Sequence, residues 1–156
     1  MNRSSFIKHS KYGILPAALF CVPIIFFIRD EQFSQAWLLY LGNALFLTCI
    51  FIFVLTRPKT GGEKISPLNA GFSATFAGIM FSIILTIICI LIFAPGLFDI
   101  GANQVLRDTP PSLTSNYDHG VLLMLLADIV VGNVVAGSFA SVMASASMRR
   151  NKDDMP

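Results

Sequence analysis

The chain has 156 residues, of which 54% are hydrophobic and only 13% charged, against about 25% charged in a typical soluble domain. Its net charge of +2 is too small to argue for a nucleic-acid partner, and the basic residues gather at the ends of apolar runs rather than on one face. Those runs take up most of the chain, which leaves no room for a soluble catalytic domain.

The apolar residues form four blocks, 13–28, 36–55, 70–93 and 121–148. A bilayer core of about 30 Å takes roughly 20 apolar residues per helix. The blocks therefore predict an all-α integral membrane bundle of four transmembrane helices, over 12–29, 36–56, 67–94 and 120–148, forming a single domain of residues 1–156.

Arg3, Lys8, His9 and Lys11 precede the first helix. Ser34-Gln35-Ala36 has the small-x-small look of a signal cleavage site, but Arg29, Asp30 and Glu31 intervene and the apolar part is long for a signal, so a retained first helix is expected. Pro23 lies deep in it, removes a backbone donor and crowds the carbonyl of Leu19, which predicts a kink there, a packing kink in preference to a gating hinge. Lys11, Tyr12 and Arg29 are expected to anchor this short helix at the two interfaces.

The second helix opens with Trp37 and Tyr40, which fit an aromatic belt. Its stretch 44–55 is almost uniformly apolar and reads as a lipid-facing wall, while its other half holds Gly42 and Asn43. In the polar segment that follows, Gly61-Gly62 lacks the lysine and further glycine of a phosphate loop. Ser66 and Pro67 then read as N-cap and first residue of the third helix. Along that helix Gly71, Thr75, Gly78, Ser82 and Thr86 recur at steps of four, three, four and four, one face of small and hydroxyl residues suited to close helix packing.

Pro95-Gly96 ends the third helix. The connection to His119 contains Leu97, Phe98, Ile100, Val105 and Leu106, either a short interfacial helix or a plain loop. Asp118 is expected to cap the fourth helix, whose apolar block of 28 residues, 121–148, exceeds the bilayer and implies tilt or extension beyond it. Two rows of small residues run along this helix: Asn133, Gly137, Ser141 and Ser145, and beside them Gly132, Ala136, Ala140 and Ala144. They suit either an internal contact with the third helix or a homodimer seam.

The N-terminal segment, the segment after the second helix (Arg57, Lys59, Lys64) and the tail (Arg149, Arg150, Lys152) hold three Lys or Arg each, and only Arg29 and Arg107 fall on the other side. The positive-inside rule then places both termini in the cytoplasm. With that orientation, Asp128, Asn43 and Thr86 each lie seven residues from the outer end of their helix. At 1.5 Å per residue, all three sit roughly 10 Å below the outer boundary, with Ser82 and Asn133 about a turn deeper.

Asp128 is the one acid inside a membrane-length run. An ionised carboxylate in hydrocarbon costs several kcal/mol even on lenient scales, so such a residue faces protein or a wet cavity and has a partner. Asp128, Asn133, Asn43, Thr86 and Ser82 are accordingly the candidate polar cluster. Its role is either a hydrogen bond that locks helices or a proton or cation site. The helix-packing candidates are Gly71, Thr75, Gly78, Gly132, Gly137 and Ser141. Cys21, Cys49 and Cys89 fall one to a helix at different depths and read as small hydrophobes rather than a disulfide or metal set. No paired acids, His cluster or Ser/Cys-His set is present, so no catalytic residue, metal or cofactor is expected and an enzyme is disfavoured.

Three stretches carry a resemblance: Ser66-Pro67-Leu68-Asn69-Ala70-Gly71-Phe72 opening the third helix, Phe98-Asp99 after it, and the small-residue fourth helix ending Ser147-Met148-Arg149-Arg150. In this layout the chain is similar to small bacterial four-helix inner-membrane proteins known as a domain-of-unknown-function family. The resemblance implies a multi-pass protein of the bacterial inner membrane and supplies no catalytic residues. The expected function is an assembly or accessory subunit acting through helix packing, with lipid around it and a membrane-protein partner or a second copy beside it. The alternative is a small proton- or cation-coupled transporter or channel component that uses Asp128.

Overall fold

The structure, a computed structural model, describes residues 11–30, 35–56, 66–94 and 114–153, and the backbone alone for 114–119 and 149–153. Among the described residues there are four long helices and no strand. A single 3-10 turn, Lys11–Gly13, leads into α1 (Ile14–Arg29); α2 is Trp37–Thr56 and α3 is Pro67–Phe93. The fourth helix, α4, runs through Thr114–Ala127, a π-helical turn at Asp128–Gly132, and Asn133–Asp153. Each of the four is long and apolar enough to cross a membrane, and together they suit a multi-pass membrane protein by length and composition.

The helix ends follow local chemistry. Ser66, in extended conformation, accepts the Asn69 N–H on its side-chain oxygen, and Pro67 occupies the first turn of α3, where its missing donor costs nothing. Helix α1 stays helical through Pro23 and closes with the Asp30 N–H on the carbonyls of Phe26 and Phe27. The start of α4 differs from expectation. It begins at Thr114, so Asp118 lies inside the first turns rather than at the cap, because the polar residues 114–119 extend the helix beyond the apolar block. The segment with Leu97, Phe98, Ile100, Val105 and Leu106 lies outside the described residues.

Helix α1 packs on α2 and α3, and α4 packs on the same two from the opposite side. Contacts fix the directions. Tyr12 stacks on Phe53 and Phe20 meets Phe46 edge to face, which makes α1 and α2 antiparallel. Gly13 lies on Gly78 and Cys21 on Thr86, so α1 and α3 run parallel. Gly71 faces Ser141 and Gly137 faces Thr75, an antiparallel pair of α3 and α4. The starts of α1 and α3 and the ends of α2 and α4 therefore share one end of the bundle.

The core holds Phe20, Ile24, Phe27, Phe46, Ile50, Val54, Leu125 and Ile129, all at most 1% exposed. Three of these, Phe46, Ile50 and Val54, correct the reading of 44–55 as an outer wall. They recur at steps of four and turn one face of α2 into the core, while Ile52 and Leu55 remain outside. Where every side chain is apolar, composition does not tell the two faces apart. On the outside stand Phe76, Ile84, Ile92, Leu123 and Val135, each more than half exposed, which in water would be a large apolar surface and in hydrocarbon is solvated.

Small residues set the helix spacing. A Cβ at Gly13 would lie 2.5 Å from the Gly78 nitrogen and 2.9 Å from the Ala74 carbonyl oxygen, so α1 and α3 cross backbone to backbone. A Cβ at Gly71 would strike Ser141, and one at Gly137 would strike Thr75. Both small-residue rows of α4 turn into the bundle: Asn133, Gly137 and Ser141 are buried, as are Ala136, Ala140 and Ala144. The surface that could have formed a homodimer seam is thus largely used within the monomer.

Candidate functional site

Asp128 stands at the one irregularity in α4. Five residues of an α-helix turn through about 500°, which would set Asp128 some 140° from Asn133 and so on the outside of the bundle. The π-turn Asp128–Gly132 takes up one extra residue, and π-turns inside α-helices are rare and concentrate at functional sites. It swings everything upstream by nearly one residue's rotation. Val121, Leu125 and Ile129 then continue the buried face that Asn133, Ala136 and Ala140 form below, and Asp128 turns toward α2.

There it meets Asn43, whose Nδ2 donates to Asp128 Oδ1 at 2.6 Å. The contact joins α2 to α4 across 85 residues of sequence. Gly132 makes the space for it: a Cβ at that position would lie 2.8 Å from both Asn43 amide atoms and 3.0 Å from Asp128 Oδ1. The hydrogen bond leaves two acceptors over. Asp128 Oδ2 and Asn43 Oδ1 are both occluded and neither receives a donor.

Outside this pair a groove of about 300 Å³ runs between α2 and α4. Ala36, Leu39 and Tyr40 form one wall, Met124, Ala127 and Val131 the other, with Asp128 and Gly132 also lining it. Tyr40 and Val131 are 74% and 62% exposed, so the groove opens sideways, toward the surroundings of the bundle and not along its axis.

The other candidate residues do not join the Asn43–Asp128 pair. Thr86 is buried, but its hydroxyl lies 3.9 Å from Cys21 Sγ, and it lines a narrow apolar cavity of about 100 Å³ with Leu122, Leu125 and Ile129. It is at the height of Asp128 and faces another way. Ser82 and Asn133 are fully buried, and helical register puts them on the faces of α3 and α4 that carry Thr75 and Gly137. Thr75 meets Gly137 there, while Ser141 donates to the Gly137 carbonyl at 2.7 Å. Among the described residues no group of three or more His, Cys, Asp or Glu could hold a metal ion.

Counting residues from helix ends brings Asn43 and Asp128 to one level but does not predict the π-turn that joins them. A sequence signal for it does exist in the five-residue spacing of two polar residues, Asp128 and Asn133, in a helix where both are turned inward. Deleting Val131 tests this geometry. Loss of one residue inside the π-turn should restore a plain α-helix with both flanks in register, leaving thermal stability in detergent close to wild type. Deleting Val134, in regular helix, should rotate 114–133 by about 100° and abolish the cooperative transition.

Comparison of the chain with protein-family models, with curated proteins and with solved structures finds no match.

Proposed function

We propose that the protein is a multi-pass subunit of a bacterial inner membrane, with both termini cytoplasmic, that serves in the assembly or support of a membrane complex by receiving a partner's transmembrane helix in the groove between α2 and α4. The observation that carries this reading is the lateral opening of that groove beside the Asn43–Asp128 pair. Ala36, Ala127 and Gly132 let another helix approach closely, as small residues do in lipid. Charge distribution supports the orientation: the three segments that leave the Lys11, Thr56 and Met148 end of the bundle hold nine of the eleven Lys and Arg. In this reading Asp128 is a positioning residue of the groove, tied to α2 by Asn43, and no catalytic step is assigned to the chain.

The test compares the mass and composition of the complex extracted in mild detergent for wild type, Ala127→Trp and Asp128→Asn. The expected result is a defined second membrane protein, in fixed stoichiometry, with wild type. It should be lost from Ala127→Trp, which fills the groove from an exposed position, and retained by Asp128→Asn, which keeps the hydrogen-bonding capacity of the site. A single protein of equal mass in all three overturns the reading.

The two acceptors without donors, Asp128 Oδ2 and Asn43 Oδ1, favour a second reading, in which the site takes up a proton or small cation and the protein is a component of a coupled transporter or channel. Ion flux in reconstituted vesicles that disappears with Asp128→Asn supports it; flux unchanged by that substitution removes Asp128 from any such role.

A further inference from the structure

Between α3 and α4 lies a set of buried polar atoms that no hydrogen bond serves. Asn133 is fully buried, and neither its Oδ1 nor its Nδ2 has a partner. Ser82 is also fully buried and Thr75 is 4% exposed; the hydroxyl oxygen of each is likewise unpartnered. Helical register puts the three residues on the facing sides of α3 and α4. Thr75 faces Gly137, one turn below Asn133, and Ser82 is two turns further along the antiparallel α3. Asn133 therefore lies between their levels.

The hydroxyls are informative because an apolar helix offers them an easy alternative, the carbonyl four residues back. Thr48, Thr56, Ser73 and Ser141 all donate there, to Ala44, Ile52, Asn69 and Gly137 respectively. Thr75 and Ser82 do not. An asparagine amide adds two donors and two acceptor lone pairs. Four unserved atoms at this depth carry a desolvation penalty comparable with the net stability of a domain, and the substance that relieves such clusters in protein interiors is ordered water, making about three hydrogen bonds per molecule.

We propose that Asn133, Ser82 and Thr75 form an internal water-binding site between α3 and α4. The site stands apart from the groove and holds whether or not the groove receives a partner. Its placement also matters to the acid: Asn133 follows Asp128 by one π-turn, so water bound there puts exchangeable protons within a turn of the carboxyl group on the bundle side.

The test is X-ray radiolysis of the full-length protein in detergent, in water enriched in oxygen-18, with mass spectrometry of the labelled side chains. Bound water yields hydroxyl radicals that oxidise its neighbours even where bulk solvent has no access. Ile79 and Ile129 lie a turn from the site and are 5% and 0% exposed; Ile24 and Ile50, both at 0%, are controls in the apolar core of α1 and α2. Labelling of Ile79 and Ile129 severalfold above Ile24 and Ile50, and its reduction to the control level in the double variant Asn133→Leu, Ser82→Ala, is the expected result. Equal labelling of all four in wild type overturns the proposal. The midpoint of thermal unfolding gives a second measurement: the double variant should melt below wild type if it loses bridging water, whereas a higher melting temperature means that the cluster was dry and overturns the proposal. Should the variant not fold, the wild-type labelling decides alone.

Discussion

Substitution of Gly13 by alanine is expected to destabilise the bundle by about 3 kcal/mol, the upper part of the range for overpacked interiors. The added methyl would sit 2.5 Å from the Gly78 nitrogen, 2.9 Å from the Ala74 oxygen and 2.9 Å from the Ala77 carbonyl carbon. All three are backbone atoms of α3 and cannot rotate aside, so the two helices must separate. Conformation is not the reason for this glycine, since its φ of −72° and ψ of −18° suit any residue; space is. Gly42 provides the control. Its added Cβ would meet chiefly the Phe20 ring, at 3.0 Å, and a ring edge can yield a few tenths of an ångström, so Gly42→Ala should cost about 1 kcal/mol or less. Reversible unfolding in detergent measures both. Equal costs for the two variants would mean that α1 and α3 do not cross in contact.

The second large effect concerns the interhelical pair. Asn43→Leu removes the donor at 2.6 Å from Asp128 Oδ1 and leaves both carboxyl oxygens without protein partners, at a cost of about 3 kcal/mol. Asp128→Leu should also destabilise, because it strands the Asn43 amide. The double variant Asn43→Leu, Asp128→Leu should recover most of the loss, since replacing both partners of a buried hydrogen bond by apolar groups is nearly neutral. The coupling energy of the cycle is expected at about 1–3 kcal/mol. Strictly additive effects would show that the two side chains act independently.

How far the sequence could be read depends on what each residue type says about direction. In α3 the Gly71, Thr75, Gly78, Ser82, Thr86 stripe marks a face, and all five residues are buried. In α2 almost every residue is apolar, and Phe46, Ile50 and Val54 cannot be told from Ile52 and Leu55 by hydrophobicity. Ser66-Pro67 names a helix start because a cap is a local interaction; the start of α4 at Thr114 is not local in that sense, and the polar run 114–119 resembles a loop. Counting from helix ends supplied height, which suffices for Asn43 and Asp128. It supplies no azimuth, and so it grouped Thr86 with them although that hydroxyl turns to Cys21. The five-residue spacing of Asp128 and Asn133 signals the π-turn only once both are known to turn inward, and that depends on the energy of the whole packed helix: an uninterrupted α-helix would place a carboxyl group outside the bundle, and one looser turn is the smaller cost.

The two hairpins of the bundle, α1 with α2 and α3 with α4, meet through parallel contacts, and the link between Asn43 and Asp128 crosses from one to the other. Synthesis proceeds from the N-terminus, so the amide is in place before the acid is made. The helix that carries the carboxyl group thus leaves the ribosome after α2, and its seat already exists in the hairpin that precedes it. A chain lacking the first hairpin would present that acid with no amide to receive it. The pair thereby makes one contact of α4 depend on the earlier presence of α2.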